Sequence, residues 1–271
     1  MATSTPGTVG PDASLHLPRI LCLHGGGSTG EAFRLQCRSL IRQLGKSFRF
    51  CFAEAGFESP PSTEMIPAYL NFQPFHRWLR WSTDQPDPGP HAIINKIDES
   101  ISNAMRQDDQ CGATGAWVAL MGFSQGAKVC ASLLLRQQIR AAKIGQDKAG
   151  SDFKFAILLA GRAPLVALEP ELTDSLALVD ANEVTTGDFA SVSGVFLQGT
   201  EHILHLPTIH VHGRHDPGLP FHQQLLTDYC APGSTQLIEW DGDHRVPTKT
   251  ADVAAVSDAV LSLSKRVCAV A

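Results

Sequence analysis

Trp117-Val118-Ala119-Leu120-Met121-Gly122-Phe123-Ser124-Gln125-Gly126, followed by Ala127-Lys128-Val129-Cys130-Ala131-Ser132-Leu133-Leu134-Leu135, decides the reading of this chain. The apolar run predicts a buried strand, the Gly-Phe-Ser-Gln-Gly pentapeptide a sharp turn, and the stretch after it a helix. A serine hydroxyl is a poor nucleophile, and a tight bend exposes it to both a base and a substrate carbonyl. Glycine on either side permits that bend, because a Cβ at 122 or 126 would collide with neighbouring backbone. Ordinary strand-to-helix turns share the pattern, so the chemistry depends on partners elsewhere.

Those partners appear downstream in the order nucleophile, acid, base. Asp216 closes Thr208-Ile209-His210-Val211-His212-Gly213-Arg214-His215-Asp216, directly after a predicted strand. His244 lies in Trp240-Asp241-Gly242-Asp243-His244, after the strand-like Gln236–Glu239. Both loops leave strand C-termini, the edge of a parallel sheet on which Ser124 also lies. Asp241 and Asp243 flank the base, but Asp216 ends a strand and is the expected acid, the other two shaping the turn. Upstream, the strand-like Arg19–Leu23 runs into His24-Gly25-Gly26-Gly27-Ser28. Acyl transfer needs backbone N–H groups around the carbonyl oxygen, and side-chain-free residues present them best. The expected oxyanion donors are therefore the Gln125 N–H and that of Gly26 or Gly27.

Leu23-His24-Gly25-Gly26-Gly27, Gly122–Gly126, His212–Asp216 and Gly242-Asp243-His244-Arg245-Val246-Pro247 together resemble the fungal FSH-type serine hydrolases of the α/β-hydrolase superfamily, over about residues 18 to 265. Within that family the chain looks most like the stand-alone thioesterases of polyketide pathways. Ser124, Asp216 and His244 fall at the family's triad positions. The resemblance also implies a strand order, the second strand beside the first and then the third through the sixth in sequence. Gln125 departs from the acidic residue of the lovastatin-pathway member, which leaves the backbone donor in place and changes the polarity beside the nucleophile.

Alternating patterns predict strands at 19–24, 48–55, 117–122, 153–160, 208–213 and 236–240, and helices at 31–44, 91–108, 126–142, 219–230 and 248–266. Mostly apolar strands alternating with helices imply right-handed crossovers and a six-stranded, mostly parallel α/β sheet covered on both faces. Two stretches interrupt the rhythm. Residues 56–90 hold Phe57, Tyr69, Phe72, Phe75, Trp78 and Trp81, six of the chain's 19 aromatics. Leaving the second strand at its C-terminal end, they are expected to cover the active edge, with Phe72, Phe75, Trp78 and Trp81 binding an apolar substrate. Packing of the loop onto the body is the plainer role for any one ring. The second stretch, 162–206, is expected to form a partial lid. From Leu165 to Glu201 it carries seven acidic residues and no lysine or arginine, which disfavours an acidic carrier on that face. Arg77 and Arg80 are the basic residues considered for docking instead.

The 271 residues suffice for one catalytic domain, expected over 18–271 after a flexible tail at 1–17. With 22 basic and 27 acidic residues the formal charge is −5, which argues against nucleic-acid or anionic-membrane binding. No apolar run approaches a membrane span, and residues 1–17 lack a signal-peptide pattern. Seven cysteines, mostly within predicted strands and helices, read as buried free thiols and hence a cytoplasmic protein. His202, His205, His210, His212 and His215 crowd together, yet their spacing is not that of a zinc site; neither metal nor cofactor is expected.

The expected activity is acyl transfer through Ser124, Asp216 and His244. The resemblance implies a thioesterase that releases a polyketide-type acyl chain from an acyl carrier protein. A carboxylesterase acting on oxygen esters is the alternative, and a non-catalytic binding protein on the same scaffold a more distant one. Hydrolysis, transesterification and lactonisation all use the same three residues.

Overall fold

Period-two burial organises the main sheet. The computed structural model describes residues 12–184 and 199–268. Among these, β1 (Arg19–Leu23), β2 (Arg49–Ala53), β5 (Trp117–Phe123), β6 (Phe155–Leu159), β7 (Thr208–Gly213) and β8 (Thr235–Trp240) form one sheet in the order β2-β1-β5-β6-β7-β8. Every neighbouring pair is parallel. Along β1, Leu21 and Leu23 point into one apolar cluster while Ile20 and Cys22 point into another on the opposite face. The first cluster is completed by Ile93, Ile97 and Ile101 of α3 (Pro90–Gln110) and Val129, Leu133 and Leu134 of α4 (Gln125–Ile144), with Leu225 of α5 (Leu219–Asp228). The second takes Phe33 of α1 (Gly30–Gln36), Leu40 and Leu44 of α2 (Arg38–Leu44), and Val253, Val256 and Val260 of α6 (Thr250–Cys268). Strands covered on both faces need no polar alternation, which is why the sequence pattern found them.

The strand order agrees with the one the resemblance implied, and the six strands lie within a few residues of their expected bounds. Three features differ. The helix expected at 31–44 is two helices meeting at Cys37, so that Phe33 on one and Leu40 on the other reach the same core. The edge strand β8 is half-exposed, with Leu237 in solvent: it pairs with β7 along one side, and α6 packs with Ile238 and Trp240. The tail is bound from residue 12 onward: Arg49 reaches Asp12 at 2.7 Å and Ser14 Oγ at 2.7 Å, and the Thr114 N–H donates to the Leu15 carbonyl. Residues 1–11 of the expected flexible tail, and the 185–198 part of the expected lid, fall outside the described residues.

Residues 56–90 contain a short antiparallel pair that no sequence pattern signalled, β3 (Phe57–Ser59) and β4 (Phe75–Arg77). Three-residue strands are too short to show a period. Their place is set by the glycine loop after β1: the Gly27 N–H donates to the His76 carbonyl at 2.8 Å, and the His76 N–H to the Ser28 carbonyl at 2.8 Å. The aromatic segment is thus stitched to the sheet edge that carries Ser124.

At the other end of the sheet, Asp108 on α3 joins two strands. Arg19 and Arg49 reach it at 3.3 and 2.8 Å, and the Arg19 guanidinium also lies 4.1 Å from the Trp117 ring centre. Removing one member of a buried ion network strands the remaining charges. Asp108→Ala should therefore cost about 3 kcal/mol of stability, read as a lowered urea midpoint with an unchanged denaturant slope.

Candidate active site

The turn between β5 and α4 holds Ser124 at φ 52° and ψ −115°, a left-handed backbone that costs an L-residue energy. It is kept there by close contacts. A Cβ on Gly126 would lie 2.1 Å from the Leu23 carbonyl oxygen, and one on Gly122 2.4 Å from the Gly126 backbone. The Ser124 N–H is also tied to the Leu159 carbonyl at 2.8 Å. The start of α4 is therefore pressed onto the end of β1, and the serine side chain is forced outward.

Two loops meet it. His244 Nε2 lies 2.9 Å from Ser124 Oγ, and His244 Nδ1 2.6 Å from Asp216 Oδ2. The second oxygen of Asp216 accepts the Gly218 N–H at 2.7 Å. Burial pushes the Asp216 carboxyl upward, but the hydrogen bond and charge of His244 outweigh it, and its pKa lies below the ordinary value. The ionised acid thus favours the imidazole tautomer whose Nε2 accepts the serine proton. Asp241 instead contacts His215 at 2.8 Å, and Asp243 contacts Arg245 at 3.4 Å; both are exposed.

The glycine loop narrows the oxyanion alternatives. Because the Gly27 N–H is committed to His76, Gly27 is not the donor, and Gly26 is the remaining candidate beside Gln125. Trp81 covers Gly26 so closely that an added Cβ would meet its ring at 2.7 Å. The Gln125 side chain has a role the sequence did not suggest. Its Oε1 accepts the N–H groups of Trp78 at 2.7 Å and Leu79 at 3.1 Å, and its Nε2 donates to the Leu79 carbonyl at 3.0 Å. Trp78 Nε1 in turn donates to the His24 carbonyl at 2.9 Å, closing a ring of bonds around the glycine loop.

This geometry corrects the substrate-binding expectation. Trp78 is fully buried and Phe75 is 3% exposed, so both hold the segment down rather than face a ligand. Phe75 packs with Ala32 and Met65, and Phe72 lies against that cluster beside Tyr69. Of the four rings, Trp81 stands at the glycine loop, against Gly26. Arg77 and Arg80 are corrected as docking residues for the same reason. Arg77 is buried over the Phe57 ring, and Arg80 is held by Asp87 and by the Gln85 and Asn182 carbonyls.

The five histidines separate in space. His205 and His215 are exposed, and His202 packs on Tyr229. His210 and His212 share a face of β7 at 5.9 Å between ring centres and meet His222 of α5, which the sequence did not single out. Asp216, His222 and His244 bring donor atoms within 4.8 Å of one another, a spacing a metal ion could use. Two of the three, however, are already joined in the line from Ser124.

The model of the family described as Serine hydrolase (FSH1) matches residues 14–256. The chain belongs to the FSH1 serine hydrolase family. It is similar to Esterase citA of Monascus ruber, 50% identical over 253 residues covering 93% of this chain and 94% of that one. Esterase pigG of Monascus ruber is 51% identical over 256 residues, covering 93% of each chain. Among solved structures, acyl-protein thioesterase 2 of Zea mays matches with a TM-score of 0.52 at 16% identity, covering 94% of this chain and 96% of that one. A likeness that distant bears on the fold alone, which is that of the α/β hydrolases. The FSH1 member described here is accordingly a serine hydrolase.

A cleft of about 750 Å³ opens beside His244. Ile66, Pro67, Tyr69, Phe123 and Val246 give it an apolar wall, while Arg38, Glu64 and Arg245 are among its polar lining. The aromatic segment thus contributes to a cavity, but through 66–69 rather than through Phe75 and Trp78. No helix among the described residues is long and apolar enough to cross a membrane.

Two outcomes follow for this site. Gln125→Leu removes the side-chain clamp but keeps the backbone N–H, and should lower kcat about tenfold, measured with the folded variant under saturating substrate. Burial lowers the pKa of His210 to about 3, of His212 to about 4 and of His222 to about 3. Between those values and 6.5 the unfolded chain binds more protons than the folded one, so stability is complete above about pH 6.5 and declines as pH falls. Melting temperature should drop from pH 7 to pH 5, and His210→Leu should flatten that slope.

Proposed function

We propose that this serine hydrolase is a thioesterase of secondary metabolism that releases a polyketide-type acyl chain from an acyl carrier protein, with Ser124 as nucleophile, His244 as base and Asp216 as the acid that orients it. The observation that carries the catalytic assignment is the hydrogen-bonded line from Ser124 Oγ through His244 to Asp216, at 2.9 and 2.6 Å. His244 takes the serine proton as Oγ bonds to the acyl carbon, and the Gln125 and Gly26 N–H groups stabilise the oxyanion. His244 then protonates the departing thiol. In the second half, His244 removes a proton from water, the hydroxide adds to the acyl carbon, and the carboxylic acid leaves as the proton returns to Ser124.

The thioester preference rests on the resemblance to polyketide-pathway thioesterases, and the cleft beside His244 is the proposed substrate-binding region, with Glu64, Ile66, Pro67, Ala68 and Tyr69 of the 56–90 segment along its wall. Seven free cysteines accord with a reducing, cytoplasmic setting. An oxygen-ester substrate is the second reading, favoured by the names of the relatives, which are esterases.

The test is hydrolysis of one medium-length acyl group presented as an N-acetylcysteamine thioester and as an oxygen ester, with Ser124→Ala in parallel. Ser124→Ala should lower kcat about 10⁴-fold or more with little change in binding. A Ser124-dependent preference for the thioester beyond its intrinsic lability supports the carrier-linked reading. Preference for the oxygen ester replaces it with the esterase reading, and near-normal Ser124→Ala turnover removes the catalytic assignment.

A further inference from the structure

His222 is fully buried on α5, and neither ring nitrogen has a hydrogen-bond partner among the described residues. Its Nε2 nevertheless lies 3.7 Å from Asp216 Oδ2, the oxygen that also faces His244 Nδ1 at 2.6 Å. The rings of His222 and His244 are 6.2 Å apart at 30°, so two imidazoles approach one carboxylate oxygen from neighbouring positions. Asp216 Oδ1 is occupied by the Gly218 N–H, and the Asp216 side chain is itself fully buried. A buried carboxylate needs several donors to stay ionised.

We propose that His222 is a positioning residue for this reaction: as a neutral imidazole it directs an Nε2–H at Asp216 Oδ2 and shares the carboxylate with His244. The surroundings fit a neutral ring. His212 packs against it at 5.3 Å from β7, Arg162 adds positive charge from the segment after β6, and His244 adds more whenever it is protonated, leaving Asp216 as the favourable charge. A second imidazolium there would compete with the one that must form on His244 during acylation. A neutral donor avoids that competition while still fixing the carboxylate plane. It also draws charge from Asp216, so its presence lowers the proton affinity of the Asp216–His244 pair.

The inference rests on the proposed Ser124–His244–Asp216 mechanism. It is tested by comparing wild type, His222→Phe and His222→Gln on the same acyl thioester across pH, with Ser124→Ala alongside. His222→Phe fills the space without a donor and should lower kcat about tenfold with KM nearly unchanged. The acid limb of kcat/KM should move to higher pH, because an Asp216 without the His222 donor holds the shared proton more tightly. His222→Gln restores an N–H and should recover most of the rate and the wild-type limb. Thermal melts and stoichiometric labelling of Ser124 by a fluorophosphonate establish that each variant is folded with its serine accessible.

An unchanged acid limb in folded His222→Phe overturns the proposal, as does equal loss of rate in the Phe and Gln variants, which would make His222 a packing residue only. If both variants fail to fold, the wild-type enzyme decides by the proton resonances of its buried imidazoles: a downfield His222 Nε2–H coupled to Asp216 is required, and its absence refutes the bond. Full activity in Ser124→Ala would instead reject the underlying mechanism, whatever His222 does.

Discussion

The contact between the end of β1 and the first turn of α4 governs the rest of the active edge. Gly126 stands so close to the Leu23 and His24 carbonyls that no side chain fits, and Ser124 accepts a left-handed backbone as the consequence. Such strain persists only where surrounding structure over-determines it. Here it is enclosed by the parallel pairing of β1 with β5 and β5 with β6, and by the cores on both faces of the sheet. The same approach sets the glycine loop beside the serine, so the proposed nucleophile and the proposed oxyanion donors are located by one packing event.

From that point the segment after β2 becomes part of the site rather than an ornament on it. Gln125 clamps Trp78 and Leu79, Trp78 bonds the His24 carbonyl, and His76 pairs with Gly27 and Ser28. These bonds give partners to the Gly27 and Ser28 N–H groups and to the His24 and Ser28 carbonyls. The cost is that most aromatic rings of the segment are consumed in fastening it. What they leave open is the 750 Å³ cleft past His244, walled by Ile66, Pro67 and Tyr69.

On the opposite side of His244, the acid sits among buried imidazoles. Asp216 keeps a lowered pKa despite burial because donors surround it, and the histidines behind it are held neutral by the same desolvation. One environment therefore serves two opposite ends: a carboxylate kept charged and imidazoles kept uncharged, within a few ångströms. The difference lies in hydrogen-bonded partners, which the carboxylate has and the imidazoles mostly lack.

The sequence by itself determined the sheet, the turn and the order of Ser124, Asp216 and His244, because strand burial, glycine at a forbidden Cβ position and loop placement at strand ends are local or periodic properties. It did not determine the break at Cys37, where one apolar stripe serves two helices, or the three-residue strands β3 and β4, which are too short for a pattern. It also misassigned Phe75, Trp78, Arg77 and Arg80, since composition marks a segment as aromatic or basic without saying which side faces the body. Only the tertiary structure decided that Gly27 is already bonded, that Gln125 acts through its side chain, and that His222 stands behind Asp216. Each of those depends on residues distant in the chain meeting at one edge, and a pairing of that kind leaves no period in the sequence.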